Sequence, residues 1–473
     1  MKKDQSNLKI LGYYLFLPIF YFALRFFFER EWIFGGEMHS EMATNYFLTT
    51  LGEFKLGRLL FALDAGYFPL PQRLIALAGR LMSLPAQAIP FFYTWSALII
   101  TPLLIGTFVL KPFRALVPRD NVRFAVTLMV LISVDFETRT FTNFTYTAMF
   151  VFIALSALAL EISQEEDFPL WSWVMLPFVL SKPYMLTLTP AILVILYRKK
   201  SFRIRAFFGI TALLIGIQLL RLLLSAAGGT LANNRSADYN LFQNLIAGGF
   251  FFFIQTGQFI FGPLIGKNVF DWGAAIIYGL LGGWIITMVA ILLPRRQNKP
   301  QWLIWTGLSV IFCNVFINCL TLSVYWNIEM ERAFRAIIYR WNIIMFFSSI
   351  LIVATLIGQW SESRWPTKLH KIPVRWRPLL AILLWFAITG WLKFTVRNSK
   401  IPKFPTLGLS DWQRMAHLIQ DNHRPLCVPI NPHGWFFSRD SVLLETATDW
   451  RNPFIAIEAQ QEIDIPLPPP HFH

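Results

Sequence analysis

Residues 30–90 read REWIFGGEMHSEMATNYFLTTLGEFKLGRLLFALDAGYFPLPQRLIALAGRLMSLPAQAIP. The segment lies between two long apolar runs, Leu8 to Phe28 and Phe91 to Leu110. It is too polar to span a bilayer and too apolar for an ordinary loop. Leu74, Leu77, Leu81 and Leu84 recur at helical spacing, with Arg58, Arg73 and Arg80 interspersed. That pattern predicts short amphipathic helices lying on a membrane surface. Three acids stand inside the segment. Glu37 and Glu41 are four apart, which on a helix would put them on one face. Asp64 opens the phrase Asp64-Ala65-Gly66-Tyr67-Phe68-Pro69.

Composition sets the class. Of 473 residues, 55% are hydrophobic and only 15% charged, against about 25% in a soluble domain. Repeated apolar runs of roughly 20 residues predict an all-α polytopic membrane protein. The Leu8–Phe28 run is long for a signal-peptide core and no small-residue cleavage site follows, so it reads as a retained first span. The net charge of +15 does not point to nucleic acid. Lys and Arg concentrate in short connectors, at Lys2–Lys9, Lys111–Arg123, Arg198–Arg205, Arg295–Lys299 and Arg364–Arg377. This is the bias of cytoplasmic loops. Cys313, Cys319 and Cys427 have neither metal nor disulfide spacing.

Threading the chain with its basic connectors inside yields about 11 spans, N-terminus cytoplasmic and C-terminus outside. The first outer loop is then 30–90, and a short third span near 123–135 leads out to Asp135, Glu137 and Arg139. The connector Gln164–Asp167 carries no basic residue, so only parity places it inside. The stretch from Pro169 to Tyr197 is broken at Ser181-Lys182-Pro183-Tyr184 and reads as two short helices meeting outside, because proline lacks an N–H and crowds the preceding turn. Leu241 to Ile265 reads as a re-entrant or interfacial segment, since a span there would invert the following loops. Residues 398–473 form a small outer domain or cap after a membrane domain of 1–397, and the Pro-rich end reads as disordered.

Ionisable groups near a bilayer are costly and usually face a cavity. Glu37, Glu41 and Asp64 are the candidates for a general base that takes a proton from an acceptor hydroxyl; the bland alternative is a loop acid paired with Arg30 or Lys55. Lys182, Arg332, Arg335 and Arg340 are suited to offset charge developing on a phosphate leaving group. Pairing with Glu329, Glu331 or lipid headgroups is the plainer role. Asp135, Glu137 and Arg139 either line the same cavity or form a local salt-bridged cap. Tyr67 and Arg73 are placed beside them as cavity residues. Glu37-Met38-His39-Ser40-Glu41 offers a thin divalent-ion site, and no metal or other cofactor is indicated. P-loop, dinucleotide and Gly-x-Ser-x-Gly signatures are absent from the sequence.

The pattern resembles the GT-C superfamily of polytopic glycosyltransferases. The residues that carry the likeness are Glu37 and Glu41 directly after the first span, Asp64 to Arg73, the break at Ser181–Tyr184, and Tyr339-Arg340 before the tenth span. Here Glu pairs at a spacing of four replace the Asp or Asp/Glu pair usual in that superfamily. The resemblance implies transfer of a sugar from a polyprenyl-phosphate donor to an envelope glycan, lipid or protein acceptor, with inversion. It also implies a bacterial-type inner membrane, the lipid bilayer and the lipid-linked donor as partners, and no nucleic acid. Two readings compete. A lipid-linked polysaccharide polymerase would show two Arg-rich outer loops. A lipid-linked glycan transporter would show internal repeats and mid-span charges, for which only Arg25 and Arg221 qualify. A membrane acyltransferase, with His39 as its single candidate histidine, ranks below both.

Overall fold

The computed structural model describes residues 2–51, 54–64, 67–227, 240–264, 271–292, 301–321, 342–360, 373, 376–398, 412–413, 416, 419, 427–431 and 435–438. The main helices are α1 (Lys2–Phe28), α2 (Leu70–Leu81), α3 (Ile89–Gly106), α4 (Asp120–Ser133), α5 (Ala148–Glu161), α6 (Thr189–Arg198) and α7 (Phe202–Ala227). They continue with α8 (Leu241–Phe261), α9 (Trp272–Thr287), α10 (Trp302–Thr321), α11 (Ile343–Trp360), α12 (Arg377–Ile388) and α13 (Trp391–Asn398). Among the described residues, seven helices are long and apolar enough to cross a membrane. Shorter apolar helices at 170–179, 183–198, 343–358 and 377–388 pack with them. The chain is a multi-pass helical membrane protein.

Helix α5 is the pillar. It is apolar all round, and every residue from Ala148 to Leu160 is buried, as such a helix requires. α3, α6, α10 and α11 surround it. With lipid outside, close packing replaces the hydrophobic effect as the force between helices, so small residues mark the contacts. Gly106 of α3 lies where a Cβ would meet Leu17 at 3.1 Å. Gly257 and Gly282 let α8 and α9 touch backbone to backbone, since a Cβ on either would strike the other helix's carbonyl oxygens.

That pairing corrects one expectation. Residues 241–261 form one unbroken helix of 21 residues, capped by the Asn240 side chain, rather than a re-entrant segment. Its length and composition make it a candidate span, and the glycine seam packs it along α9.

The two ends of the bundle differ in charge. At one end, the Lys199 ammonium donates to the Ile162 carbonyl at 2.6 Å, and Arg198 lies over the Trp302 ring at 4.9 Å. Lys111, Ile10 and Trp171 share a surface groove at this end, and Arg114 pairs with Asp120 at 2.6 Å. The acidic connector 164–167 therefore shares the basic end. The opposite end carries the 30–88 loop, the 134–147 connector and the chain break at Ser181-Lys182. There a short helix, Leu176–Val179, stops, Lys182 is extended, and a 3-10 turn starts at Pro183.

In α2 the buried face is Pro71, Gln72, Arg73, Ala76 and Gly79, while Leu74 and Leu81 are exposed. Leu74 and Leu81 face outward and the polar residues turn into the protein, a division that suits a helix lying at an interface. After α13, strands β1 (Cys427–Ile430) and β2 (Trp435–Ser438) pair antiparallel, Val428 opposite Phe437. Their alternation puts Val428, Ile430 and Phe437 inside. Trp412, Ala416 and Ile419, spaced four and three apart, are buried beside them.

Candidate active site

The segment after α1 is shaped by two left-handed residues, Gly36 at φ +68° and Ser40 at φ +45°. They interrupt any helix, so Glu37 and Glu41 do not share a helical face as their spacing suggests. Glu37 lies in an irregular stretch outside any helix, and Glu41 opens a π-helical turn, Met42–Phe47. A side chain at Gly36 would run into Gln413 and the Phe91 ring. Ser40 has a Cβ and accepts the unfavourable region because its amide donates to the Asn431 carbonyl at 2.5 Å.

The two glutamates part company. Glu37 is buried and its Oε2 accepts from the Asn431 side chain at 2.6 Å. Glu41 is half-buried, and its Oε2 accepts from the Ser40 hydroxyl at 2.5 Å. The same hydroxyl lies 3.2 Å from His39 Nδ1. With its proton given to Glu41, the hydroxyl must accept from His39, which assigns the proton to Nδ1. Burial pulls the His39 imidazole down to about 4, against an opposing pull from Glu137, so it is neutral near pH 7.

Asp64 anchors the second part. It is 6% exposed, and it accepts from Asn45 at 2.7 Å, from the Tyr46 hydroxyl at 3.1 Å and from the Tyr67 hydroxyl at 3.2 Å. The Asp64 and Tyr67 backbones exchange hydrogen bonds of 2.9 and 3.0 Å, which fold the intervening turn and bring the two side chains together. Lys182 then donates to the Tyr67 hydroxyl at 2.7 Å. Its ammonium is 4.7 Å from the Tyr67 ring centre and 5.3 Å from that of Tyr146. The Tyr146 hydroxyl in turn donates to Tyr184 at 3.0 Å. Burial pushes the Tyr46 and Tyr67 phenols well above their usual range, the Asp64 carboxylate adds to it, and Glu41 acts on both in the same direction. Both phenols keep their protons. Arg73 stacks over the Tyr46 ring at 5.1 Å and donates to the Asn45 carbonyl and, at 2.7 Å, to Thr49. It props the π-helical turn that presents Asn45 and Tyr46.

The Asp135, Glu137 and Arg139 group separates. Arg139 turns inward to Glu29, which also accepts from Arg25 at 2.7 Å, so one buried carboxylate holds two guanidiniums. Asp135 stands just before the short helix Phe136–Arg139, and its carboxylate accepts from the Thr138 hydroxyl. Burial raises its carboxyl to about 6. Glu137 is the member within electrostatic reach of the Glu41 segment, through His39. Asp135 thus bonds within its own turn, and Arg139 belongs to the inward ion cluster.

Lys182, at a break inside an apolar stretch, does reach the first loop, at the Tyr67 hydroxyl that also donates to Asp64. Arg332, Arg335 and Arg340 lie outside the described residues. Among the described residues, no three His, Cys, Asp or Glu side chains converge as a metal site. Sequence reading passed over Glu29, Asn45, Tyr146 and Asn431, while Ser40 and Tyr184 entered it only as members of the segments Glu37–Glu41 and Ser181–Tyr184. Glu29 had a signal, standing four residues after Arg25 at the end of an apolar helix. Asn431 had none, because 390 intervening residues separate it from the loop it holds, as its bonds to Met38 and Ser40 show. No family model, curated protein or solved structure matches the chain.

Proposed function

We propose that the chain is a membrane glycosyltransferase of GT-C type, using a polyprenyl-phosphate sugar as donor and working at an extracytoplasmic surface. The observation that carries the reading is the carboxylate–phenol–ammonium chain Asp64–Tyr67–Lys182, with its 2.7 Å ammonium bond, set beside the more open Glu41. An acid free to accept a proton and a fixed cation within one site are what sugar transfer from a lipid phosphate requires.

The roles divide by hydrogen bonding. Asp64 already accepts three donors and is occupied in orienting Tyr67 and Asn45. Glu37 is engaged by Asn431. Glu41, with the Ser40 hydroxyl on one oxygen and partial exposure, is the general base. It takes the proton of the acceptor hydroxyl as that oxygen bonds to the anomeric carbon. The bond from that carbon to the phosphate oxygen breaks, and the electron pair leaves on the polyprenyl phosphate. Lys182 offsets the charge that develops there. Attack opposite to departure inverts the anomeric centre. The basic end of the bundle is then cytoplasmic and the membrane is a bacterial-type inner membrane.

The test is donor turnover. Purified protein in detergent is given polyprenyl-phosphate sugars, and release of polyprenyl phosphate is followed. Release by the parent and its loss in Glu41→Gln support the reading. An inert parent that moves a fluorescent lipid-linked glycan across liposomes overturns it in favour of a transporter.

A further inference from the structure

We infer that Asn431, directly after strand β1, is a positioning residue that sets the general base from across the molecule; the inference rests on the transferase reading. Asn431 makes three bonds to the first loop. Its amide donates to the Met38 carbonyl at 3.2 Å, its carbonyl accepts from the Ser40 amide at 2.5 Å, and its side chain donates to Glu37 at 2.6 Å. The middle bond matters most. It holds Ser40 at φ +45°, a region that a residue with a Cβ leaves when unsupported. That conformation aims the Ser40 hydroxyl at Glu41, 2.5 Å away. The order of action is Asn431, then the Ser40 backbone, then the Ser40 hydroxyl, then the Glu41 carboxylate.

The rest of the strand pair is anchored well enough to transmit this. The Trp412 indole donates to the Ala86 carbonyl at 3.0 Å, and Gln413 donates to the Gly36 and Gln87 carbonyls at 2.9 and 3.1 Å. Phe47, on the turn that follows Glu41, packs against Trp412 at 5.8 Å and Phe437 at 6.0 Å between ring centres. Trp412 and Phe437 are themselves in edge contact. An aromatic cluster thus fixes one side of the Glu41 segment while Asn431 fixes the other. Burying such aromatic pairs is rigid and specific, which is what a positioning contact needs. Neither contact touches the reacting atoms.

The experiment uses the full chain, comparing the parent with Asn431→Asp and the milder Asn431→Ala. Asn431→Asp sets a carboxylate against Glu37. The expected result has two parts. Amide hydrogen exchange across residues 36–42 speeds up by about tenfold in Asn431→Asp and less in Asn431→Ala. Turnover falls by about tenfold in kcat with the donor KM within about twofold, because base geometry and not donor binding is lost. Lowering the pH toward 5 restores part of the Asn431→Asp loss relative to the parent, as one of two facing carboxylates gains a proton. Unchanged exchange in both variants overturns the inference. So does faster exchange with parental kcat, which would make the clamp a matter of stability alone. Should the parent turn over no donor, the transferase reading fails by itself, and the exchange comparison still decides whether Asn431 holds the loop.

Discussion

Replacing Glu41 by Gln and Asp64 by Asn should separate a chemical role from a structural one. Glu41 is half-buried and bonded through Oε2 to one hydroxyl. A carboxamide can still accept that bond, so the stability loss is at most about 1 kcal/mol, the difference between a charge-assisted and a neutral hydrogen bond. Asp64 accepts three bonds at 2.7, 3.1 and 3.2 Å in a site 6% exposed. The same difference of about 1 kcal/mol applied to three bonds costs about 3 kcal/mol. Removing a general base costs a factor of about 10² to 10⁴ in rate. Glu41→Gln should therefore lose at least about a hundredfold in kcat with nearly parental thermal stability. Asp64→Asn should lose stability first and activity with it. The assay is polyprenyl phosphate release, run beside thermal unfolding of each variant in the same detergent. A Glu41→Gln protein that keeps activity within about threefold would refute the assignment of the base. An Asp64→Asn protein as stable as the parent would refute the account of its hydrogen bonds.

Three further outcomes follow from the geometry. Lys182→Met keeps the length of the side chain and removes the charge beside Tyr67, so kcat/KM for a lipid-phosphate donor should fall by about a hundredfold; an unaltered value places the leaving group elsewhere. Gly36→Ala forces a Cβ at φ +68° into Gln413 and Phe91 and should destabilise the loop–tail contact by about 1–3 kcal/mol, read as faster proteolytic release of the C-terminal segment. Asp135 has a carboxyl raised to about 6 by burial, so the folded state binds its proton more tightly than the unfolded chain does. Its contribution to stability is therefore lost as pH rises from about 4 through 6. Asp135→Asn keeps an acceptor for Thr138 and removes that loss, so its gain in melting temperature should be larger at pH 7.5 than at pH 5, and an equal gain at both would contradict the shift.

What the amino-acid sequence determined by itself is the class and its ends. Apolar runs such as Ala148–Leu160 can only be buried among helices or in lipid, and charge in the connectors sorts the two ends of the bundle, because both follow from the cost of taking polar groups out of water. The break at Lys182 was legible too, since Pro183 cannot continue a hydrogen-bonded helix. The course of residues 241–261 was not. Parity argued against a span, and only the folded chain shows an unbroken helix packed on its neighbour through Gly257 and Gly282. The division of labour among the acids was hidden for the same reason. Glu37 and Glu41 look equivalent at a spacing of four, and what distinguishes them is Asn431, far along the chain, together with a left-handed Ser40. Local spacing reports which residues are near in sequence. Which carboxylate is occupied and which is left to accept a proton depends on partners that only the folded chain brings within hydrogen-bonding distance.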